Sequence, residues 1–343
     1  MKIKLESLRE LGGAESFIKD FEGIVPEAVG NKIGEFSAQS VGPSALLGEA
    51  FSVFSDGRGA FLSFFLFVIG AVMLTSLASL TVGKMGKGAE CAVSVVLALS
   101  LFSKISPSVT VIVGEMGGVL NFCTSFVPII TGVIAYGGST ASAAVGASGA
   151  NMTLLIMGAF VLPILNGCVS LIFALGLVGT VDGTGVSGIA KRVKSFFLWV
   201  TGIASTLLLS SLALQSAISS SADNALLRAA KYAASGTIPI VGGSVSSAMG
   251  ALTTGVGYIK STLGTAAVTV IVITVLSPLL TLIIYRFILS VGEGMLEFLG
   301  VDFAGRLFSS FKAALDTLIA VVALSVSVLI IEIAILAKSG AAL

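Results

Sequence analysis

Two carboxylates and one amide, Glu115, Glu332 and Asn166, stand inside runs that are otherwise apolar. An ionisable group at membrane depth is costly, which makes each acid a candidate for binding or relaying an ion along a transport path. The plainer readings put Glu115 at an interface and Glu332 at the outer rim beside Lys338. Asp223, Asn224, Arg228 and Lys231, with Tyr232 beside them, share the polar side of one helical stretch. That side suits docking to another subunit or simple solvation. A third set is built from proline and glycine. "SFVPIITG" (Ser125–Gly132) leads to Gly137–Gly138, and "GTIPIVGG" (Gly236–Gly243) ends in Gly242–Gly243.

Proline removes a backbone donor, and glycine permits positive φ and close approach. Irregular backbone at membrane depth is tolerated where it is buried in protein or lines water. The candidate pore or gate residues are therefore Pro128, Gly137, Gly138, Pro163, Asn166, Pro239, Gly242, Gly243 and Pro278. The alternative is a tight packing loop between helices.

Catalytic chemistry is missing. The chain has no histidine, which removes the usual proton relay, metal ligand and Ser-His nucleophile. Cys91, Cys123 and Cys168 are far apart in apolar segments and match no metal spacing. "GTGVSG" (Gly183–Gly188) has dinucleotide-loop spacing but lies between membrane runs, not between a strand and a helix. No Walker motif occurs, so ATP energy would have to come from a partner. The reading is a non-enzyme with no cofactor and no metal. A net charge of +1 gives no argument for nucleic acid.

The elements that must position these residues follow from composition. Of 343 residues, 55% are hydrophobic and 11% charged, with a mean hydropathy of +1.07. Several uncharged runs exceed the ~20 residues needed to cross a bilayer. They lack the polar alternation of a barrel. The fold class is all-α, a polytopic helical membrane protein embedded in the lipid bilayer. Six spans are expected near 61–83, 89–106, 151–180, 196–216, 262–285 and 315–337, with two re-entrant or broken Pro/Gly elements; seven or eight spans also fit. Treating Met116–Tyr136 as re-entrant puts Lys84 and Lys87, Lys191–Lys194, and Arg286, Arg306 and Lys312 on one, cytoplasmic side. Both Pro/Gly elements then lie on the other.

Landmarks recur at nearly constant offset: Pro128 with Pro239, Pro163 with Pro278, and Arg192 with Arg306. They divide the chain into an acidic, amphipathic region 1–60, a first helix 61–84, repeat A at 85–215 and repeat B at 216–343. Region 1–60 carries six Lys/Arg against nine Asp/Glu, and Ser7 with Glu10 has capping-box spacing. It suits a docking surface or a helix lying on the bilayer. Two basic amphipathic stretches read as interfacial helices: Ile189, Val193, Phe196 and Phe197 on one face, and Phe303, Leu307 and Phe311 on the other's. Gly114 and Gly118 form a GxxxG, an ordinary mark of close helix packing.

The pattern KYA-x-x-x-x-x-IP-x-VGG (Lys231, Tyr232, Ala233, Ile238, Pro239, Val241, Gly242, Gly243), with "YGGSTASAA", resembles the stage III sporulation protein AE family. The resemblance runs from about residue 55 to the end. It implies a multispanning subunit of the transenvelope complex between mother cell and forespore, in the mother-cell membrane around the forespore. Its implied partners are other stage III sporulation membrane and ring proteins and a separate cytoplasmic secretion-type ATPase; a homo-oligomer is left open. It implies a need in late forespore gene expression, by a secretion or feeding channel. A solute permease working alone and a non-conducting scaffold are the competing functions. Family members begin with a secretory signal and an extracytoplasmic region. The start "MKIKLESLRELGG" has no secretory h-region, so a trimmed form or a different start is expected.

Overall fold

The computed structural model describes residues 43–85, 87–163, 167, 169–174, 178, 186–237 and 242–339. These form helices and turns, with no strand among the described residues. The main helices are α1 (Pro43–Met85), α2 (Lys87–Tyr136), α3 (Thr140–Ile156), α4 (Val186–Thr237), α5 (Gly242–Phe298) and α6 (Asp302–Lys338). Six stretches are long and apolar enough to cross a membrane: Phe51–Ser79, Ala92–Tyr136, Thr140–Ala159, Arg192–Leu226, Thr254–Phe298 and Asp302–Lys338. The chain is a multi-pass helical membrane protein.

The expected number of spans is met, but the second and third have other bounds. Met116–Tyr136 is neither a separate span nor a re-entrant segment. It is the second half of α2, a continuous helix of 50 residues with Pro107 and Pro128 inside it. A proline in a helix forfeits one backbone bond, yet membrane helices tolerate it when nearby groups serve the freed carbonyls. Here the Thr131 hydroxyl donates to the carbonyl of Val127 at 2.8 Å and to that of Pro128 at 3.2 Å. The chain turns one residue after α2 ends, at Gly137–Gly138, where Gly138 has φ 83°. The third span begins at once, with Thr140.

Proline acts differently further on. After α3 the helix widens into a π-helical turn at Met157–Val161. Pro163 follows two residues later; its ring crowds the carbonyl one turn back, and a π turn makes room for it.

The core is centred on the antiparallel α5/α6 hairpin, which turns at Gly300 (φ 70°). α5 packs on α1, α2, α4 and α6. Gly264 sits so close to α6 that a Cβ there would meet the Ala337 Cβ at 2.6 Å. Such small-residue contacts substitute for hydrophobic driving force inside lipid. Aromatic rings tie the remaining helices to this hairpin. Phe64 of α1 stacks on Tyr285 of α5 with ring centroids 4.4 Å apart. Phe173 bridges Phe102 of α2 at 5.6 Å and Phe311 of α6 at 4.7 Å. Phe303, Leu307 and Phe311, expected to face the interface, are all buried in this core. α5 packs along this helix and Phe173 covers Phe311, on the face that the sequence pattern assigned to the interface. Arg306, on the same helix, likewise has a buried Nε without a partner.

The six spans alternate in direction. The α2/α3 turn lies at one end with the C-terminus of α6, and α4 runs toward that side while α5 runs away from it. The end of α1, the start of α2, the start of α4 and the α5/α6 turn lie toward the other. The three basic clusters share that second end. The parity comes from one long α2, not from re-entry.

Candidate functional site

Three features of this bundle can carry function. The first is the seat of the α2/α3 break. Ser139, the N-cap position of α3, makes no side-chain cap. The cap comes instead from α4: the Asp223 carboxylate accepts the amides of Ala141 at 3.1 Å and Ser142 at 2.9 Å. This carboxylate satisfies free helix donors and meets the positive end of the α3 dipole. A Cβ on Gly137 would meet Val256 of α5 at 2.6 Å, so α5 backs the turn. Lys260, one turn along α5, donates to the Ser339 carbonyl at the end of α6 at 2.6 Å. One polar layer thus gathers the end of α2, the start of α3 and the end of α6 around Asp223 of α4 and Lys260 of α5.

The second feature is an ion-pair layer toward the other end. Asp316 of α6 accepts from Lys194 of α4 at 2.7 Å and from Arg286 of α5 at 2.6 Å. Lys312 and Glu293 form a second pair between α6 and α5. From Asp316 to Ser339 is about 35 Å of helix at ~1.5 Å per residue. That is close to the ~30 Å of a hydrocarbon core. The two layers bracket the expected spans 262–285 and 315–337.

The third feature is the outer face of α2. Pro107, Gly114, Asn121, Ser125 and Pro128 are exposed along it, with Glu115 and Gly118 half-buried beside them. A Cβ added at Gly114, Gly117 or Gly118 would meet nothing within 4 Å. Among the described residues the GxxxG therefore joins no helix, contrary to its ordinary reading. The face is built mainly of small and polar residues, with Val111 exposed among them. The Ser125 hydroxyl bonds back to the Asn121 carbonyl at 3.1 Å, which leaves a smooth backbone ridge.

The sequence candidates distribute as follows. Gly137 and Gly138 form the break, while Pro128 lies inside α2, Pro163 follows the π turn, and Pro278 lies half-buried within α5. Asn166 and Pro239 lie outside the described residues. Gly242 opens α5 and Gly243 is in its first turn; Lys231 and Tyr232 belong to the last turns of α4. The surroundings of those four side chains lie outside the described residues. Arg228 is exposed, as a docking residue requires. Asp223 is not: it is fully buried, because its carboxylate caps α3. Glu332 does not reach the rim or pair with Lys338; it is buried with both carboxylate oxygens unpartnered. Region 1–42 and the "GTGV" of Gly183–Val186, apart from Val186 itself, fall outside the described residues. Sequence reasoning missed the roles of Lys260 and Asp316, whose partners are 79 and 122 residues away. Among the described residues no cluster of His, Cys, Asp or Glu could hold a metal ion.

The architecture is that of a multi-pass protein with polar layers at both ends and an uncovered polar helix face. Compared with known families, the chain matches the stage III sporulation protein AE model over residues 21–340. The chain belongs to that family. The match takes in all six spans and both Pro/Gly segments. No curated protein and no solved structure gave a match. Membership in the stage III sporulation protein AE family gives the chain a role in sporulation stage III.

Proposed function

We propose that this chain is a non-enzymatic channel or export-platform subunit of the complex that links mother cell and forespore, needed for late forespore gene expression. The observation that carries the reading is the outer face of α2. Polar groups facing lipid are strongly disfavoured, so Glu115, Asn121 and the glycine ridge suit contact with water or another helix. A ring of copies, or of partner subunits, that turns this face inward gives a continuous small-residue, polar wall. The Pro/Gly breaks, at one end of the bundle, form its outer mouth in this proposal. The basic end faces the mother-cell cytoplasm, as positive charge favours, and receives a separate secretion-type ATPase. Ring proteins of the intermembrane space contact the opposite end. The two halves, 85–215 and 216–343, descend from one duplicated unit, each with a helix, a break and a proline-bearing helix.

A reporter of late forespore expression tests this in the native spore-former. Deletion should abolish expression after engulfment. A double variant, Gly114→Leu with Gly118→Leu, places its Cβ atoms in open space among the described residues, so it should accumulate normally and still fail. Normal expression in the deletion strain would sink the reading. A fully active double variant would leave a scaffold that conducts nothing, and solute uptake by the chain alone in liposomes would make it a permease.

A further inference from the structure

We propose that the groove between α1 and α2 holds one acyl chain of an anionic phospholipid, whose headgroup phosphate pairs with Lys104. The groove has a volume of about 490 Å³, and its lining includes Gly70, Ala71 and Thr75 of α1 and Val93, Leu97 and Ser100 of α2. Small residues that face each other usually let two membrane helices close on one another. These two helices stay apart, because each is anchored elsewhere. Phe64 of α1 stacks on Tyr285 of α5, and Phe102 of α2 packs on Phe173. A Cβ built on Gly70 would meet nothing within 4 Å, so the gap is open.

The lining selects an acyl chain. Its two hydroxyls are both turned to backbone. Thr75 donates to the carbonyls of Ala71 at 2.8 Å and Val72 at 3.0 Å, and Ser100 donates to that of Val96 at 2.8 Å. A peptide or polar solute lying there would leave its own polar groups unpaired, whereas a hydrocarbon chain has none to lose. Both helices belong to membrane spans, where acyl chains are the surrounding medium. From Ala92 to Lys104 is about 18 Å of helix at ~1.5 Å per residue. That is close to the ~15 Å depth of one leaflet, half of a ~30 Å hydrocarbon core.

Lys104 supplies the polar end. It follows Val93, Leu97 and Ser100 at helical spacing, so it continues the groove's face one turn past Ser100. The span Ala92–Tyr136 has two charged residues, Lys104 and the distant Glu115. Lys104 is exposed and makes no ion pair among the described residues. An unpaired charge within an apolar span marks a functional site. A partner helix seated in the groove would cover this ammonium with apolar side chains, which is strongly disfavoured. A lipid phosphate neutralises it and leaves the headgroup in the open. This does not depend on the channel reading. The same lipid would brace the α1/α2 hairpin in a channel, a scaffold or a permease.

The test is native mass spectrometry of the purified full chain in detergent, with dioleoyl phosphatidylglycerol or dioleoyl phosphatidylcholine added at equal concentration. One phosphatidylglycerol per chain should stay bound under activation that strips phosphatidylcholine. Its apparent affinity should be about fivefold higher, the effect of one lysine beside an anionic headgroup. Gly70→Leu places its side chain in the open groove, so it should fold and retain no lipid. Lys104→Gln leaves the groove intact and should hold both lipids alike. Equal retention of the two lipids by the unaltered chain overturns the proposal, as does a bound phosphatidylglycerol that survives Gly70→Leu. A lipid-free dimer that Gly70→Leu dissociates also overturns it and assigns the groove to a helix of a second copy. Should Gly70→Leu fail to fold, an undiminished preference for phosphatidylglycerol in Lys104→Gln is the overturning result.

Discussion

Helix α6 carries two acids whose surroundings are opposites. Asp316 accepts two charged donors, Lys194 and Arg286, from two other helices. Glu332, four turns further on, accepts none and is more deeply buried. Asp316 is partly exposed, where basic side chains from α4 and α5 reach it. Glu332 is buried between α3, α4 and α6, where an unpaired carboxylate has no structural justification. The first holds three helices in register; the second is retained despite its cost. Cost without structural return is the mark of a working group.

Four substitutions would break or sharpen that contrast. The largest effect belongs to Asp316→Ala, which strands two cations in a partly buried layer. It should lower stability by on the order of 3 kcal/mol, seen as a lower Tm in detergent. If it is neutral, the layer is ornamental and the contrast collapses. Next is Gly264→Val, which drives a side chain into Ala337 in a packed hairpin and should cost about 1–3 kcal/mol. Asp223→Ala removes the cap that α4 lends to α3. It should cost ~1–2 kcal/mol, with faster hydrogen exchange confined to the amides of Ala141 and Ser142. Protection that stays unchanged there would show that the cap is made elsewhere. The smallest effect should come from Glu332→Leu. Replacing an unpaired buried carboxyl by an apolar side chain is neutral or stabilising. A loss as large as that of Asp316→Ala would make Glu332 a structural acid after all.

Much of this fold was legible in the sequence because bilayer physics is local. A run of apolar residues announces a span without knowledge of its neighbours, and the spans 262–285 and 315–337 lie between the two polar layers. The charge parity was legible too, since Lys84, Lys194 and Lys312 had to share a side. Its cause was not. Pro128 looked like a break, but Thr131 serves the carbonyls that the proline leaves free, and the turn waits for Gly137–Gly138. The candidate site was less legible, because its decisive contacts are between distant segments. Nothing near Asp223 reveals that it caps a helix starting 83 residues earlier. Nothing near Gly114 and Gly118 reveals that their ridge meets no other helix among the described residues. Glu332 could be singled out from the sequence, but its company of serines from α3 and α4 could not.

The spacing of the two polar layers also makes the protein a gauge of membrane thickness. A bilayer much thicker than the ~35 Å between Asp316 and Ser339 would draw one layer into hydrocarbon, and a thinner one would expose apolar helix to water. Stiff helices packed on a shared hairpin cannot shorten to relieve either mismatch. The cost would then fall on the weakest element between the layers, the π turn ahead of Pro163. Lipid chain length should therefore tune this protein's conformation even where lipid charge does not.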